Sequence, residues 1–243
     1  MIDVPELARR KRMNAHSNHL LETGIYTLPQ AAYLVSAPLG DVRVWVEGRK
    51  GKTIRAPVIS NQIGRIGNSV AISFTNLMEL RFVAQFSKAG VRLNNIRSIM
   101  NEVQEVINHP HPFATKTVFK TDGKKIVADI VGKNGFQAVY DLKSRNYEMP
   151  IVVLQSLKED VVWDPEGEAV AWFPRRAFAP NVIIRPKYAF GKPILRKSRI
   201  PTETIAQAFK AEGSQKAVAD VYEIPLSQVR EAISFEKHLR MAA

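Results

Sequence analysis

The stretch Gly24–Gly48, GIYTLPQAAYLVSAPLGDVRVWVEG, decides the fold, because its pattern predicts two short helices joined by a tight turn. Thr27 is suited to cap the first helix, since Gln30 follows three residues later and completes a capping box. Pro29 is tolerated in the first turn of a helix. Pro38 predicts the end of this helix, because proline disfavours helical geometry in the residue before it and has no N–H to donate.

The second helix is predicted from about Leu39 to Glu47, with Gly48 ending it. Leu39, Val42 and Val46 are spaced to pack on the first helix. That spacing directs four other residues outward: Gly40, Asp41, Arg43 and Val44. An outward arginine near the start of the second helix is typical of a helix-turn-helix that enters a DNA groove. An ordinary helical hairpin inside a core is the alternative.

The segment after these helices is basic and predicts a wing. Four of the seven residues in Arg49–Arg55 are cations, which favours contact with phosphate over contact with bases. Pro57–Ile59 and Ser69–Phe74 are β-rich and are expected to form the hairpin of this wing. The predicted DNA-binding residues are Tyr26, Thr27, Ser36, Gly40, Asp41, Arg43, Val44, Arg49, Lys50, Lys52 and Arg55.

The composition favours a binding protein over an enzyme. The 243 residues carry a formal charge of +12, which suits a polyanionic partner, and contain no cysteine. No apolar run is long enough to span a membrane, and residues 1–23 are expected to form a flexible basic arm with no secretory segment, so we expect a cytoplasmic protein. No phosphate loop, nucleophile elbow or metal-ligand spacing is present, which predicts no catalytic residue, metal or cofactor.

Two longer helices are predicted next, from about Thr75 to Lys88 and from Leu93 to Ile107, with His109–Pro112 as a boundary. Four elements follow one another along this part of the chain: Tyr26…Gln30-Ala31-Ala32, Val42-Arg43-Val44-Trp45, Leu80-Arg81-Phe82-Val83 and Gly90-Val91-Arg92-Leu93-Asn94-Asn95-Ile96-Arg97. Their order and spacing resemble those of a MerR-like DNA-binding domain. The resemblance implies such a domain over residues 24–112. The chain departs from that family because it lacks the long dimerisation helix and any cysteine effector site.

Residues 113–180 are predicted to form a β-rich module. Thr115–Thr121 and Lys125–Val131 flank Asp122-Gly123, a strong hairpin signal. Asp164–Gly167 is expected to form a turn. The other expected strands are Gln137–Leu142, Ile151–Leu154, Val161–Trp163 and Ala169–Phe173.

Residues 181–243 are predicted to hold a strand over Asn181–Arg185 and three short helices. This segment contains four short motifs: Phe190-Gly191-Lys192-Pro193, Ile200-Pro201-Thr202, Gly213-Ser214 and Leu226-Ser227-Gln228-Val229. Over about 181–236 they resemble the C-terminal domain of unknown function of VapB-type antitoxins. Lys197–Arg199 departs from that pattern, since a glycine-containing turn is expected there. The complete prediction is an α+β protein with a winged helix-turn-helix, a β-rich middle and a C-terminal three-helix module.

The resemblance to VapB-type proteins implies an antitoxin that represses its own operon and silences a PIN-type ribonuclease toxin, as a homodimer or a hetero-oligomer. A stand-alone MerR-like regulator without a toxin is the alternative. The net charge is +3 over Gly24–Arg55 and −3 over Thr202–Glu236. The basic segment is therefore suited to bind DNA, and the acidic segment is suited to contact a protein. The residues predicted for toxin binding or dimerisation are Lys192, Arg196, Lys197, Arg199, Phe209, Tyr222 and Phe235. The basic loop 192–199 can equally contact DNA or remain solvated.

Overall fold

The computed structural model describes residues 23–49, 56–120, 127, 130 and 157–241. Helices and two antiparallel sheets make up these ranges, which confirms the predicted α+β class. None of the helices described there is both long and apolar enough to cross a membrane.

The N-terminal elements follow the predicted helix pair closely. Thr27 caps α1 through a complete capping box with Gln30, and α1 ends before Ser36, which adopts a left-handed conformation. The wing prediction is half confirmed, because Ser69–Ile72 is a strand. Its partner is Gly64–Ile66, however, and not the predicted Pro57–Ile59. The elements are β1 (Tyr26–Thr27), α1 (Leu28–Val35), α2 (Leu39–Glu47), β2 (Gly64–Ile66) and β3 (Ser69–Ile72), with β3 between β1 and β2 in an antiparallel sheet.

Two fifteen-residue helices, α3 (Phe74–Lys88) and α4 (Leu93–Ile107), complete this part. Ser73 caps α3, its hydroxyl oxygen accepting from the backbone N–H of Asn76. Most of α3 is buried, so this helix forms the centre of the core. In α4 only one stripe is buried, as its apolar spacing predicts.

The predicted hairpin around Asp122-Gly123 is wrong on both of its described arms. Thr117–Phe119 forms a 3-10 helix, and Val127 and Ile130 are helical. Val118 and Phe119 are adjacent and both buried, which the alternating sides of a half-buried strand do not allow. The turn itself and the strands predicted over 137–142 and 151–154 lie outside the described residues.

The second sheet confirms the strands predicted on either side of the Asp164–Gly167 turn. The backbone N–H of Glu168 donates to Asp164 Oδ1 at 2.7 Å and closes that turn. The strands are β4 (Val161–Trp163), β5 (Ala169–Trp172), β6 (Val182–Ile184) and β7 (Pro193–Leu195), paired in sequence order. The predicted C-terminal helices are also present, as α5 (Thr202–Glu212), α6 (Gln215–Val221) and α7 (Leu226–Met241).

One continuous core joins the first helices to the last. The ring of Tyr33 on α1 meets that of Phe235 on α7 edge to face, with 5.7 Å between centroids. Arg175, which follows β5, donates to the main-chain carbonyls of Tyr33 and Leu34 at the end of α1. The end of α1 is therefore held by the C-terminal half of the chain.

Candidate nucleic-acid interface

The outer side of α2 presents the residues that the sequence directs outward. Gly40, Asp41 and Arg43 are exposed, whereas Val42 and Val46 are buried against the core. Val44 is half-buried. Within the part of the chain that the structure describes, no carboxylate lies within ion-pair distance of Arg43. Its guanidinium is therefore available to a ligand.

A cleft of about 450 Å³ separates α2 from the β2–β3 hairpin. Thr27, Arg43 and Glu47 lie on the helical side, and Arg65, Asn68 and Ser69 lie on the hairpin side. Because Arg43 and Arg65 face the same cleft, the cleft brings together a helix, a hairpin and two cations.

The hairpin supplies a residue that sequence reasoning missed. Arg65 is exposed and its guanidinium lies 3.0 Å from Glu47 Oε1 on α2, an ion pair that links hairpin to helix. Ile66 pairs with Ser69, so Gly67-Asn68 is a two-residue turn, with Gly67 at a φ of 57°. Gly-Asn between β-rich segments is a hairpin signal that locates this wing and its arginine.

Not every predicted DNA contact is accessible. Thr27 and Ser36 are exposed, and so is Arg49, whereas Lys50, Lys52 and Arg55 lie outside the described residues. The structure corrects the prediction that Tyr26 contacts DNA, because this side chain is only 2% exposed and its phenol cannot reach a phosphate. Burial raises the pKa of Tyr26 well above its ordinary value.

The residues predicted for toxin binding or dimerisation do not form one surface. Lys192 is exposed and pairs with Glu203 at 2.8 Å. The structure also corrects the prediction that Phe235 contacts a partner, since its side chain is fully buried in the core against Tyr33. The remaining members are exposed (Arg196, Lys197, Arg199) or half-buried (Phe209, Tyr222). Arg199 takes a φ of 60°, a left-handed conformation that glycine adopts more easily than other residues.

A buried polar network, which sequence reasoning also missed, supports the hairpin from below. Asn76 on α3 donates to the Ser60 carbonyl at 2.8 Å and accepts from the Gln62 backbone N–H at 2.9 Å. Its side chain also donates to Glu79 Oε2, whose other oxygen lies 3.1 Å from His111 Nδ1. The network fixes the segment that leads into β2.

Comparisons with known proteins agree with this fold. The family model described as "Protein of unknown function (DUF433)" matches residues 182–235, within the segment 181–236 that resembles a domain of unknown function. The chain is similar to "Putative antitoxin VapB45" of Mycobacterium tuberculosis, at 23% identity over 86% of this chain and 92% of that protein. It is also similar to "Uncharacterized protein Rv2308" of the same organism, at 22% identity over 92% of this chain and 94% of that one.

A solved structure matches at the level of the fold. The crystal structure of Rv2018 from Mycobacterium tuberculosis superposes with a TM-score of 0.64 at 18% identity, over 86% of this chain and 96% of that one. The chain therefore shares its fold with Rv2018 and contains a DUF433 segment from β6 into α7.

Proposed function

We propose that this chain is an antitoxin that binds DNA through α2 and the β2–β3 hairpin, represses its own operon and silences a ribonuclease toxin of the PIN type. The observation that carries the DNA-binding part is the cleft between α2 and the hairpin. It has Arg43 on one side and Arg65 on the other, and no acidic residue in the described part pairs with Arg43. Similarity to the protein named "Putative antitoxin VapB45" supports the antitoxin part.

In the proposed complex, α2 lies in the major groove and the hairpin lies on the adjacent backbone. Arg43 is the base-reading candidate, because arginine can donate two hydrogen bonds to one guanine. Arg65 is already paired with Glu47, so we assign it to phosphate positioning. Because one short helix covers only a half-site, tight binding requires a dimer.

The acidic unit Thr202–Glu236, which covers α5, α6 and most of α7, is the proposed contact surface for a protein partner. Three of its carboxylates (Glu212, Asp220 and Glu223) are exposed, and Val221 beside them is 71% exposed. A protein interface combines apolar side chains at its centre with a polar rim, and Val221 with these carboxylates supplies both. Tyr222 and Phe209 lie half-buried in the same unit and can extend this contact.

The DNA-binding part is tested with Arg43→Ala in a mobility-shift titration against the DNA upstream of the gene. We expect a loss of about 1–3 kcal/mol in operator binding and a relaxed preference at one base pair. The matched control is Lys88→Ala, which removes an exposed cation at the end of α3 and is expected to leave operator affinity unchanged. Unchanged affinity for Arg43→Ala would remove α2 from the interface.

The antitoxin part is tested by purifying the tagged chain from its native locus at moderate salt and identifying what accompanies it by mass spectrometry. A stoichiometric small protein with ribonuclease activity after denaturing separation is the expected result. Recovery of this chain alone, still able to bind its upstream DNA, contradicts the antitoxin role and supports a stand-alone regulator.

A further inference from the structure

A second basic segment lies outside the helix pair. Between Pro174 and Ile200 the chain has eight cations and no acidic residue. In the described part of the chain, two of the eight have a carboxylate within ion-pair distance: Arg176 with Asp160 at 3.7 Å, and Lys192 with Glu203 at 2.8 Å. The eight cations are Arg175, Arg176, Arg185, Lys187, Lys192, Arg196, Lys197 and Arg199.

Four of these arginines are held on aromatic rings: Arg175 lies 4.9 Å from the ring centroid of Tyr33, and the other three lie on Phe173 and Tyr188. Arg199 lies 4.7 Å from the ring centroid of Tyr188, and Arg176 and Arg196 lie 5.1 and 5.7 Å from that of Phe173. We call Arg176, Arg196, Arg199, Phe173 and Tyr188 the arginine–aromatic face. A guanidinium on a ring keeps its N–H donors at the edge, and its stacking reduces the side-chain entropy lost on binding. The face is therefore preorganised for phosphate oxygens.

The second sheet provides a rigid base for this face. Side chains of its strands alternate between two sides, as β geometry requires. Trp172, Ile184 and Leu195 enter the main core, whereas Phe173, Ile183 and Ile194 form a small cluster on the other side. Tyr188 packs on that second cluster. Phe173 directly follows β5 and Tyr188 lies in the connection between β6 and β7, so the rings that carry the arginines are held by packing on side chains of the strands.

The same basic segment is attached to both ends of α1. Arg175 donates to the carbonyls of Tyr33 and Leu34 at the C-terminal end. At the other end, the Ile25 N–H, two residues before the Thr27 cap, donates to the Phe190 carbonyl at 3.2 Å. In helix-turn-helix complexes the first helix crosses the DNA backbone. The basic segment is therefore adjacent to where phosphates would lie.

We propose that the arginine–aromatic face is a second, sequence-independent phosphate-binding surface that contacts duplex DNA flanking the site read by α2. This inference rests on the DNA-binding part of the proposed function. An acidic protein is the less favoured ligand, because Phe173 is buried under Arg176 and Arg196 and Tyr188 is half-buried, so the face offers cations but little of the apolar surface found at the centre of a protein interface. Among the described residues of the basic segment, the large apolar side chains Phe190 and Phe178 are 58% and 44% exposed.

The experiment measures fluorescence anisotropy of the full chain on a random-sequence duplex of about 30 base pairs, long enough for two half-sites and flanks. Binding is titrated at several salt concentrations, and the slope of log K against log salt counts the phosphates contacted. For the double variant Arg196→Gln/Arg199→Gln we expect the slope to fall by about 2, since each lost phosphate contact removes about 0.9.

Two further variants make the result specific. Lys210→Gln/Lys216→Gln removes the same charge from the acidic unit and is expected to leave the slope unchanged. Arg196→Lys/Arg199→Lys keeps the charge and is expected to keep the slope with weaker affinity, because lysine loses the planar stacking. If the salt slope falls equally in both double glutamine variants, the inference is overturned, because the slope then depends on net charge alone. An unchanged slope for Arg196→Gln/Arg199→Gln also overturns it.

The two proposals fail separately. If Arg43→Ala abolishes operator preference while Arg196→Gln/Arg199→Gln changes no slope, DNA binding by α2 stands and the second surface is rejected. If the unmodified chain binds neither its upstream DNA nor the random duplex, both are rejected. Loss of binding to a co-purified acidic protein in Arg196→Gln/Arg199→Gln, with an intact salt slope, assigns the face to that protein and rejects the DNA role.

Discussion

The buried carboxylate of Glu79 and the half-buried ring of His111 meet beneath the hairpin, and they give the molecule a pH-dependent contact. His111 Nδ1 lies 3.1 Å from Glu79 Oε1, and the Gln62 amide lies 2.8 Å from its other ring nitrogen. The hydrogen bond with Glu79 raises the pKa of His111, against the opposing effect of its burial, and the charges of Glu79 and Glu168 act in the same upward direction.

The raised pKa of His111 predicts that the fold weakens as the solution becomes more basic. Because the folded-state value lies above the unfolded one of about 6.5, the stabilisation is fully present below that pH and is lost as pH rises through the folded value. Urea unfolding is expected to give a smaller free energy of unfolding at about pH 8 than at about pH 6.

His111→Gln is expected to remove this component of the pH dependence. His238→Gln, which replaces an exposed histidine on α7, serves as the matched control and is expected to keep it. If the pH dependence of the unfolding free energy persists in His111→Gln, other titratable groups cause it.

At the scale of elements, the start of α1 positions one side of the cleft. The Thr27 hydroxyl accepts from the Gln30 backbone N–H, and the Gln30 side chain accepts from the backbone N–H of Thr27. Thr27 is exposed and lines the cleft as well as capping the helix. The sequence predicted this cap because the capping-box pattern is local.

Thr27→Ala is expected to cost about 1 kcal/mol of stability, as the loss of an N-cap does, and to weaken DNA binding by loosening α1 beside the cleft. Ser214→Ala removes the equivalent cap of α6, where the Ser214 hydroxyl accepts from the Ala217 N–H at 3.3 Å. This control is expected to lose similar stability and no DNA affinity. Denaturation and mobility-shift titrations measure both quantities, and equal losses of affinity would indicate a global effect.

At the scale of the whole molecule, Gly191 joins the C-terminal unit to the first strand. Its φ is +81°, and a Cβ there would lie 2.5 Å from the Tyr26 hydroxyl and 2.8 Å from the Gly24 Cα. The first of these contacts involves a buried side chain and the second a backbone atom, so neither can move aside easily. The glycine of the Phe-Gly-Lys-Pro element is therefore required by packing between distant parts of the chain.

Gly191→Ala is expected to destabilise the protein by about 1–3 kcal/mol through overpacking, in addition to about 1–2 kcal/mol for its left-handed backbone. Gly213→Ala is the matched control, because Gly213 has a φ of +68° with open space around its Cβ position, so it carries the backbone cost alone. Urea unfolding followed by circular dichroism measures the difference. Equal losses for the two variants would contradict a tight contact between Gly191 and Tyr26.

The sequence by itself determined the elements whose signals are local. Thr27 and Gln30 define the start of α1, Pro38 defines its end, and Gly213 and Ser214 separate α5 from α6, because caps and breakers act within a few residues. The α+β class follows from the same kind of pattern, whereas the C-terminal module was expected from its resemblance to a family.

Tertiary structure alone decided what depends on distant neighbours. It buried Tyr26 and Phe235, made Val118 and Phe119 helical, and brought Glu79 to His111 and Arg65 to Glu47. The local preferences of these residues are weak compared with the free energy of packing, and the partners that supply this free energy lie far away in the chain.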